Sequence, residues 1–466
     1  MRPSIWIMSA AVCLVAKTVD ALQLDLSSDE SIKQTASTIA YGLLRYYTGN
    51  NTGDTPGNLP DPYFWWEAGS MFGTMIDYWL YTGDESYVEV TTQALLHQVG
   101  EDRDFMPANQ TSTLGNDDQG FWAMAAMSAA ENNFPNPPDG QPQWLALVQA
   151  VFNEYVDRWD TEKCNGGLRW QIFTFNNGYN YKNSISNGCF FNIASRLARY
   201  TGNETYADWA DKVWDWMSSE VKLIDAEYNV YDGTGVEQDC TKIDESKWSY
   251  NSGIFLHGAA VMYNVTDGAE IWQTRTEGLV SRVKEQFFDD KSGGVVYEPA
   301  CETTNQCDTD QLSFKGYLLR WMAGAAKMAP FTFDTLMPLV QSSAVAAARQ
   351  CSGSPAAEQF RGEPGTACGF RWTGGDKFDG NVGVGQQMSA LSAVQYSLVE
   401  KDDVAKAPVT ASNGGTSTGN VNAGASTESK IPALPPISTA ERIAAGFATT
   451  AILLGVLWGS IFVMKD

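Results

Sequence analysis

From Ser31 onward, segment after segment of this chain carries apolar residues at helical spacing, and this recurrence limits the fold more than any other feature. Twelve helices are expected, over about 31 to 47, 66 to 81, 86 to 98, 118 to 131, 143 to 158, 187 to 200, 204 to 219, 250 to 263, 269 to 287, 311 to 327, 333 to 349 and 384 to 399. No segment reads as a sheet. The connections alternate in kind. Those leaving the even-numbered helices are mostly short and turn-like, as in Thr82-Gly83-Asp84-Glu85, Thr201-Gly202-Asn203 and Ala329-Pro330, whereas those entering them are long and aromatic. A short loop forces its two helices antiparallel, so the chain resolves into six hairpins of roughly sixty residues, a period that signals a repeat architecture. A trace of the repeat survives in Leu80-Tyr81-Thr82-Gly83-Asp84-Glu85 and Arg199-Tyr200-Thr201-Gly202-Asn203-Glu204. The even helices are also rich in small residues, such as Ala123, Ala125 and Ala126, Gly258 to Ala260, and Ala323 to Ala326. Small residues let backbones converge, so these helices should form the inner ring of an all-α (α/α)6 toroid. All six long loops then open on one face.

With 44% hydrophobic residues in 466, the chain can bury a sizeable core. Its 31 basic and 55 acidic residues leave a net charge of −24, which repels nucleic-acid phosphates, so no nucleic-acid partner is expected. There are two histidines, His97 and His257, far apart in sequence. A His-based triad or multi-His metal site has almost nothing to draw on, and no metal or cofactor is expected. Acid–base chemistry falls to carboxylates.

Both ends of the chain read as addresses. Residues 1–21 combine Arg2, an apolar run from Ile5 to Ala16 and a Val19-Asp20-Ala21 cleavage site, the pattern of a secretory signal peptide. Residues 22–402 form the toroid. Residues 403–442 are expected to be a low-complexity linker containing a GPI attachment region, with small residues at Asn422 to Ser426. Residues 443–466 follow as the hydrophobic tail of the GPI signal, removed on attachment. The alternative is a retained single transmembrane helix, disfavoured because only Lys465 and Asp466 follow the apolar run. Export to the cell surface also suits the Asn-X-Thr sequons at Asn50, Asn109, Asn203 and Asn264. Of the cysteines, Cys13 leaves with the leader. Placement in the long loops suggests pairing Cys164 with Cys240, Cys301 with Cys307, and Cys351 with Cys368, leaving Cys189 buried and reduced; spacing alone does not establish that connectivity.

One short run stands out on the long-loop face: Leu114-Gly115-Asn116-Asp117-Asp118-Gln119-Gly120, where two adjacent carboxylates meet a helix start. The positive end of the helix favours an ionised Asp, while a second Asp beside the first resists ionisation, so the pair should titrate apart. That split supplies one nucleophile and one proton donor, the requirement of glycosidic bond cleavage. Asp310, Glu67, Asp376 and Asp379 are weaker candidates because each lacks an adjacent acid. Adjacent carboxyls near the shorter separation point to retention of configuration. The long loops and adjoining helix starts also interleave aromatics with amides and hydroxyls, which suits sugar rings. Candidate substrate contacts are Trp65, Trp66, Glu67, Asn116, Trp122, Arg169, Trp170, Tyr181, Tyr250, Asn251 and Lys315.

These residues carry a resemblance. Trp65-Trp66-Glu67-Ala68-Gly69, Gly115-Asn116-Asp117-Asp118-Gln119, Gly167-Leu168-Arg169-Trp170-Gln171, Asn187-Gly188-Cys189 and Tyr250-Asn251-Ser252-Gly253 are similar to motifs of glycoside hydrolase family 76, the endo-α-1,6-mannanases. The similarity spans nearly the whole mature domain and, with both terminal signals, resembles the fungal GPI-anchored cell-wall branch. The resemblance implies an (α/α)6 fold and a retaining mechanism, with Asp117 as nucleophile and Asp118 as acid/base. It also implies an α-1,6-mannoside or GPI glycan as donor, and wall glucan as an acceptor if the enzyme transfers rather than hydrolyses. A monomer is expected. The rival is a glycan-binding wall protein that keeps the groove but not the chemistry.

Overall fold

In the computed structural model, residues 21–401, 407–424 and 439–463 are described; the expected leader lies outside them except for residue 21. Twelve helices occupy the first stretch. They are α1 (Asp29–Leu44), α2 (Trp65–Thr82), α3 (Val88–His97), α4 (Asn116–Glu131), α5 (Trp144–Asp157), α6 (Ser184–Thr201), α7 (Glu204–Asp215), α8 (Ser249–Val265), α9 (Glu270–Phe287), α10 (Gln311–Met328), α11 (Phe333–Gln350) and α12 (Val384–Tyr396). The even helices pack in sequence, α2 on α4, α4 on α6, α6 on α8, α8 on α10 and α10 on α12, and α12 returns to α2. The ring is closed. Each odd helix packs outside it, and the result is an (α/α)6 toroid.

The inner helices owe their close approach to missing side chains. A Cβ on Gly69 would lie 2.8 Å from the Trp122 ring, and one on Gly120 2.6 Å from Cys189 Cβ, so α2, α4 and α6 meet only because glycine stands there. Far from the long loops, the ring is stitched by buried ions. Arg196 on α6 pairs with Glu131 on α4 at 2.7 Å, Arg320 on α10 pairs with Asp77 on α2 at 2.7 Å, and Tyr396 on α12 donates to Asp77 at 2.6 Å. Arg320 Nη2 also donates to the Gly73 carbonyl at 3.1 Å, in the body of α2.

Two expectations need correction. The first is that no segment forms a sheet: the long loops contain short antiparallel strands. β1 (Tyr181–Asn183), β2 (Gly233–Gly235) and β3 (Ile243–Asp244) form one sheet; β4 (Phe288–Asp289) pairs with β5 (Val295–Val296), and β6 (Cys351–Gly353) with β7 (Ala367–Cys368). Pieces of two or three residues are too short to leave an alternating pattern. Disulfides brace the same loops, joining Cys164 to Cys240, Cys301 to Cys307 and Cys351 to Cys368, and Cys189 is a buried free thiol.

The second correction concerns the expected linker. Residues 407–424 are part of the compact unit that extends to Ala425. Val409 N–H donates to the Glu131 carbonyl at 2.7 Å and Ala411 N–H to the Tyr200 carbonyl at 2.8 Å, supplying C-caps to α4 and α6. Ser417 Oγ accepts from Leu145 N–H at 3.0 Å in the first turn of α5. A segment poor in apolar residues is thus held through its backbone. The rest of the expected linker lies outside the described residues. In the second unit, residues Thr439–Val463 form α13, with Phe447, Leu453 and Trp458 exposed. No helix among the described residues is long and apolar enough to cross a membrane.

Candidate active site

The twin aspartates stand in the first turn of α4, on the face where the long loops open. Gly115 precedes the helix because nothing larger fits: a Cβ there would fall 2.3 Å from Asp117 Oδ1 and 3.2 Å from the Trp170 carbonyl. Its N–H donates to Asp118 Oδ2 at 2.7 Å. Asp117 Oδ1 accepts from Asp118 N–H at 3.2 Å, and its Oδ2 from Asn183 Nδ2 at 3.4 Å. Behind the pair, Tyr155 donates to the Asn116 carbonyl at 2.5 Å, and Asn116 N–H donates to the Trp170 carbonyl at 2.8 Å. The helix start is held from three sides.

Both carboxylates border a cleft of about 230 Å³. Its aromatic walls include Trp66, Phe121, Trp170, Tyr181, Trp248 and Tyr250. Tyr250 stacks on Phe314 at 3.8 Å, almost parallel, and Trp170 is 37% exposed at the rim. Two further acids reach the cleft: Asp310, which accepts from Trp66 Nε1 at 3.2 Å, and Asp232, which accepts from the Tyr181 hydroxyl at 2.8 Å. Four carboxylates with no cation among the lining groups resist ionisation together. Burial pushes Asp117 well above the usual range, with repulsion from Asp118 adding to it. Asp118 is raised to about 7, by burial first and then by Asp310, against the Gly115 N–H. Asp310 itself is raised to about 6 by burial. The twin pair therefore holds its protons more tightly than isolated carboxyls do, and the Asp118 N–H and Asn183 Nδ2 are the donors that favour charge on Asp117.

Among the expected substrate contacts, Trp66, Trp170, Tyr181 and Tyr250 line this cleft. The others are corrected to supporting roles. Trp122 is fully buried between Trp65 and Phe105, and Trp65 spends its own Nε1 on Gln98 at 2.8 Å. Glu67 is buried and accepts from Phe64 N–H at 3.0 Å, capping α2. Asn116 donates its amide to the Arg169 carbonyl at 2.7 Å, and Arg169 pairs with Asp160 at 2.8 Å. Asn251 is fully buried. Lys315, also buried, is tied to Glu302 at 3.1 Å and to the Phe370 carbonyl, joining α10 to two loops. Asp379 accepts from Phe370 and Arg371 N–H groups at 3.1 and 2.8 Å, as a loop brace, and Asp376 is exposed beside Arg349. Asp232 had no sequence signal at all. Asn183, Trp248 and Phe314 were visible only as members of aromatic, amide-rich stretches.

An (α/α)6 toroid whose long-loop face holds paired carboxylates in an aromatic cleft is the architecture of a carbohydrate-active enzyme. The family described as glycosyl hydrolase family 76 matches residues 31–412, and the chain belongs to it. It is 45% identical over 447 residues to mannan endo-1,6-alpha-mannosidase DCW1 of Saccharomyces cerevisiae, covering 96% of this chain and 95% of that one. Among solved structures, Dfg5 from Chaetomium thermophilum in complex with glucosamine is 46% identical, with a TM-score of 0.81, covering 88% of this chain and 98% of that one. An inactive variant of the GH76A α-1,6-mannanase of Salegentibacter sp. HEL1_6, in complex with α-1,6-mannotriose, shares the fold at 22% identity and a TM-score of 0.60, covering 79% of this chain and all of that one (100%).

Proposed function

We propose that this protein cleaves α-1,6-mannosidic bonds with retention, Asp117 acting as nucleophile and Asp118 as acid/base. The observation that carries the proposal is the twin carboxylate pair, raised above the usual range by burial, at the floor of an aromatic cleft. An oxygen of ionised Asp117 bonds to the anomeric carbon as the glycosidic C–O bond breaks, and the leaving oxygen takes the proton of Asp118. Asp118, now a carboxylate, then removes a proton from the acceptor hydroxyl. The acceptor oxygen bonds to the same carbon and Asp117 departs as a carboxylate. The stacked rings hold the sugar faces, and Asp232 and Asp310 offer acceptors for its hydroxyls.

The names of the relatives support α-1,6-mannan as donor, and the glucosamine complex of the Chaetomium protein supports a donor that contains amino sugar, as a GPI glycan does. An acid-rich cleft suits an ammonium group. A glucan hydroxyl in place of water makes the enzyme a transglycosidase that links GPI proteins to the wall. The same reading has the protein act as a monomer, exported by residues 1–21, glycosylated at the exposed Asn50, Asn109, Asn203 and Asn264, and GPI-anchored at the outer face of the plasma membrane or in the cell wall.

The test is to incubate the secreted domain with a defined α-1,6-mannoside of GPI type, with and without glucan oligomers, and to identify products by mass spectrometry. Transfer products are expected alongside hydrolysis. Folded Asp117→Asn and Asp118→Asn variants should each lose at least about 100-fold in turnover. Near-normal activity in either would remove the assignment, and absence of any product with the unaltered protein would favour a glycan-binding role.

A further inference from the structure

Asp117 is oriented by groups on two different elements. Its Oδ1 is held from within α4 by Asp118 N–H, whereas its Oδ2 faces the amide of Asn183, the last residue of β1 and the N-cap of α6. We propose that Asn183 is the positioning residue that holds the attacking carboxylate of Asp117 in line with the anomeric carbon. The inference rests on the nucleophile role given to Asp117 above.

The amide can point only one way. Asn183 Oδ1 accepts from Ser186 N–H at 3.3 Å, capping α6, which leaves Nδ2 directed at Asp117. The residue cannot swing, because its surroundings are pinned. Asn183 pairs with Gly233 across the β1–β2 ladder, and its carbonyl accepts from Asn187 Nδ2 at 2.9 Å. The preceding Lys182 is fully buried, with Nζ donating to the carbonyls of Asp160 at 3.2 Å, Lys163 at 2.7 Å and Gly166 at 2.5 Å. The Cys164–Cys240 disulfide ties that same loop to the segment between β2 and β3. Asn183 itself is 6% exposed and borders the cleft.

The chemistry follows from this placement. An N–H donor aimed at a carboxylate favours its ionised form, the form that attacks. At 3.4 Å the bond is long at rest, which leaves room to shorten when sugar fills the cleft. Once the glycosyl ester has formed, the same N–H still has a carbonyl oxygen to donate to.

Two substitutions separate positioning from capping. Asp and Ser both cap helices as well as Asn does. Asn183→Asp keeps the cap but turns the N–H donor into a second carboxylate oxygen facing Asp117, and Asn183→Ser keeps the cap but is too short to reach. Both should melt within a few degrees of the unaltered protein, and on an α-1,6-mannotriose both should lose about 100-fold in kcat with KM changed less than about threefold. In Asn183→Asp the acid limb of the kcat profile should move to higher pH, since the nucleophile becomes harder to ionise. Unaltered kcat and an unmoved acid limb in folded variants would overturn the proposal, as would failure of both variants to fold, which assigns Asn183 to holding the β1–α6 junction together rather than to orienting Asp117. Asp117→Asn measured alongside distinguishes the two levels. If it is inactive while the Asn183 variants are normal, only the positioning role falls; if it is active, the nucleophile assignment falls first.

Discussion

A carboxylate drawn away from water is costly unless something stabilises its charge, and this cleft holds four, Asp117 buried and Asp118, Asp232 and Asp310 partly so, with no cation among its lining groups. The cations that might have served are spent elsewhere: Arg169 and Lys182 on Asp160, Lys315 on Glu302. The consequence is retained protons. Asp118 must be protonated to donate, and burial raises it to about 7, so turnover should fall as pH climbs through about 7; stopped assays across that range check the sign. The tryptophans divide by burial. Trp122→Ala removes a fully buried ring and should cost about 3–5 kcal/mol in denaturant melts, whereas Trp170→Ala, at the exposed rim, should leave the melt unchanged and raise KM. The adjacent acids and the aromatic stretches were legible in the sequence. Which aromatics touch sugar was not, because Trp65 and Trp66 look alike until α2 turns one toward Trp122 and the other toward Asp310.

Helix periodicity extends over ten or more residues and survives reading one residue at a time, which is why the twelve helices could be placed to within a turn or so. α11, expected over 333 to 349, runs Phe333–Gln350. Contacts made by single backbone groups leave no such pattern. The stretch after Ala407 is rich in Gly, Ser, Thr and Asn and reads as linker, yet its amides cap α4 and α6 and its Ser417 meets the start of α5. A domain ending at residue 402 should therefore be less stable than one ending at 425, by about 2–4 kcal/mol in chemical denaturation, since several buried backbone groups lose their partners. Equal stability would show that those caps are replaced by water at no cost. The strap matters to the site because α4 carries the twin aspartates at its other end.

At the scale of the whole molecule, ring closure depends on ions that no local pattern predicts. Arg196 reaches Glu131 across α4 and α6 with both groups buried, so Arg196→Met would strand an unpaired carboxylate. It should cost about 3–5 kcal/mol, and the double variant with Glu131→Leu should recover much of it; thermal melts of the single and double variants test this. By itself the sequence determined the helix count, the alternation of short turns and long loops, the closed ring they imply, and the paired acids on its open face. These are local or periodic properties, written in residue spacing. The tertiary structure alone decided that Asp232, Asp310 and Asn183 converge on Asp117 and Asp118 from three other parts of the chain, and that Trp122, Glu67 and Lys315 turn inward. Convergence of residues far apart in sequence is a product of packing, and burial, which sets the charge of every acid in the cleft, exists only once the ring has closed.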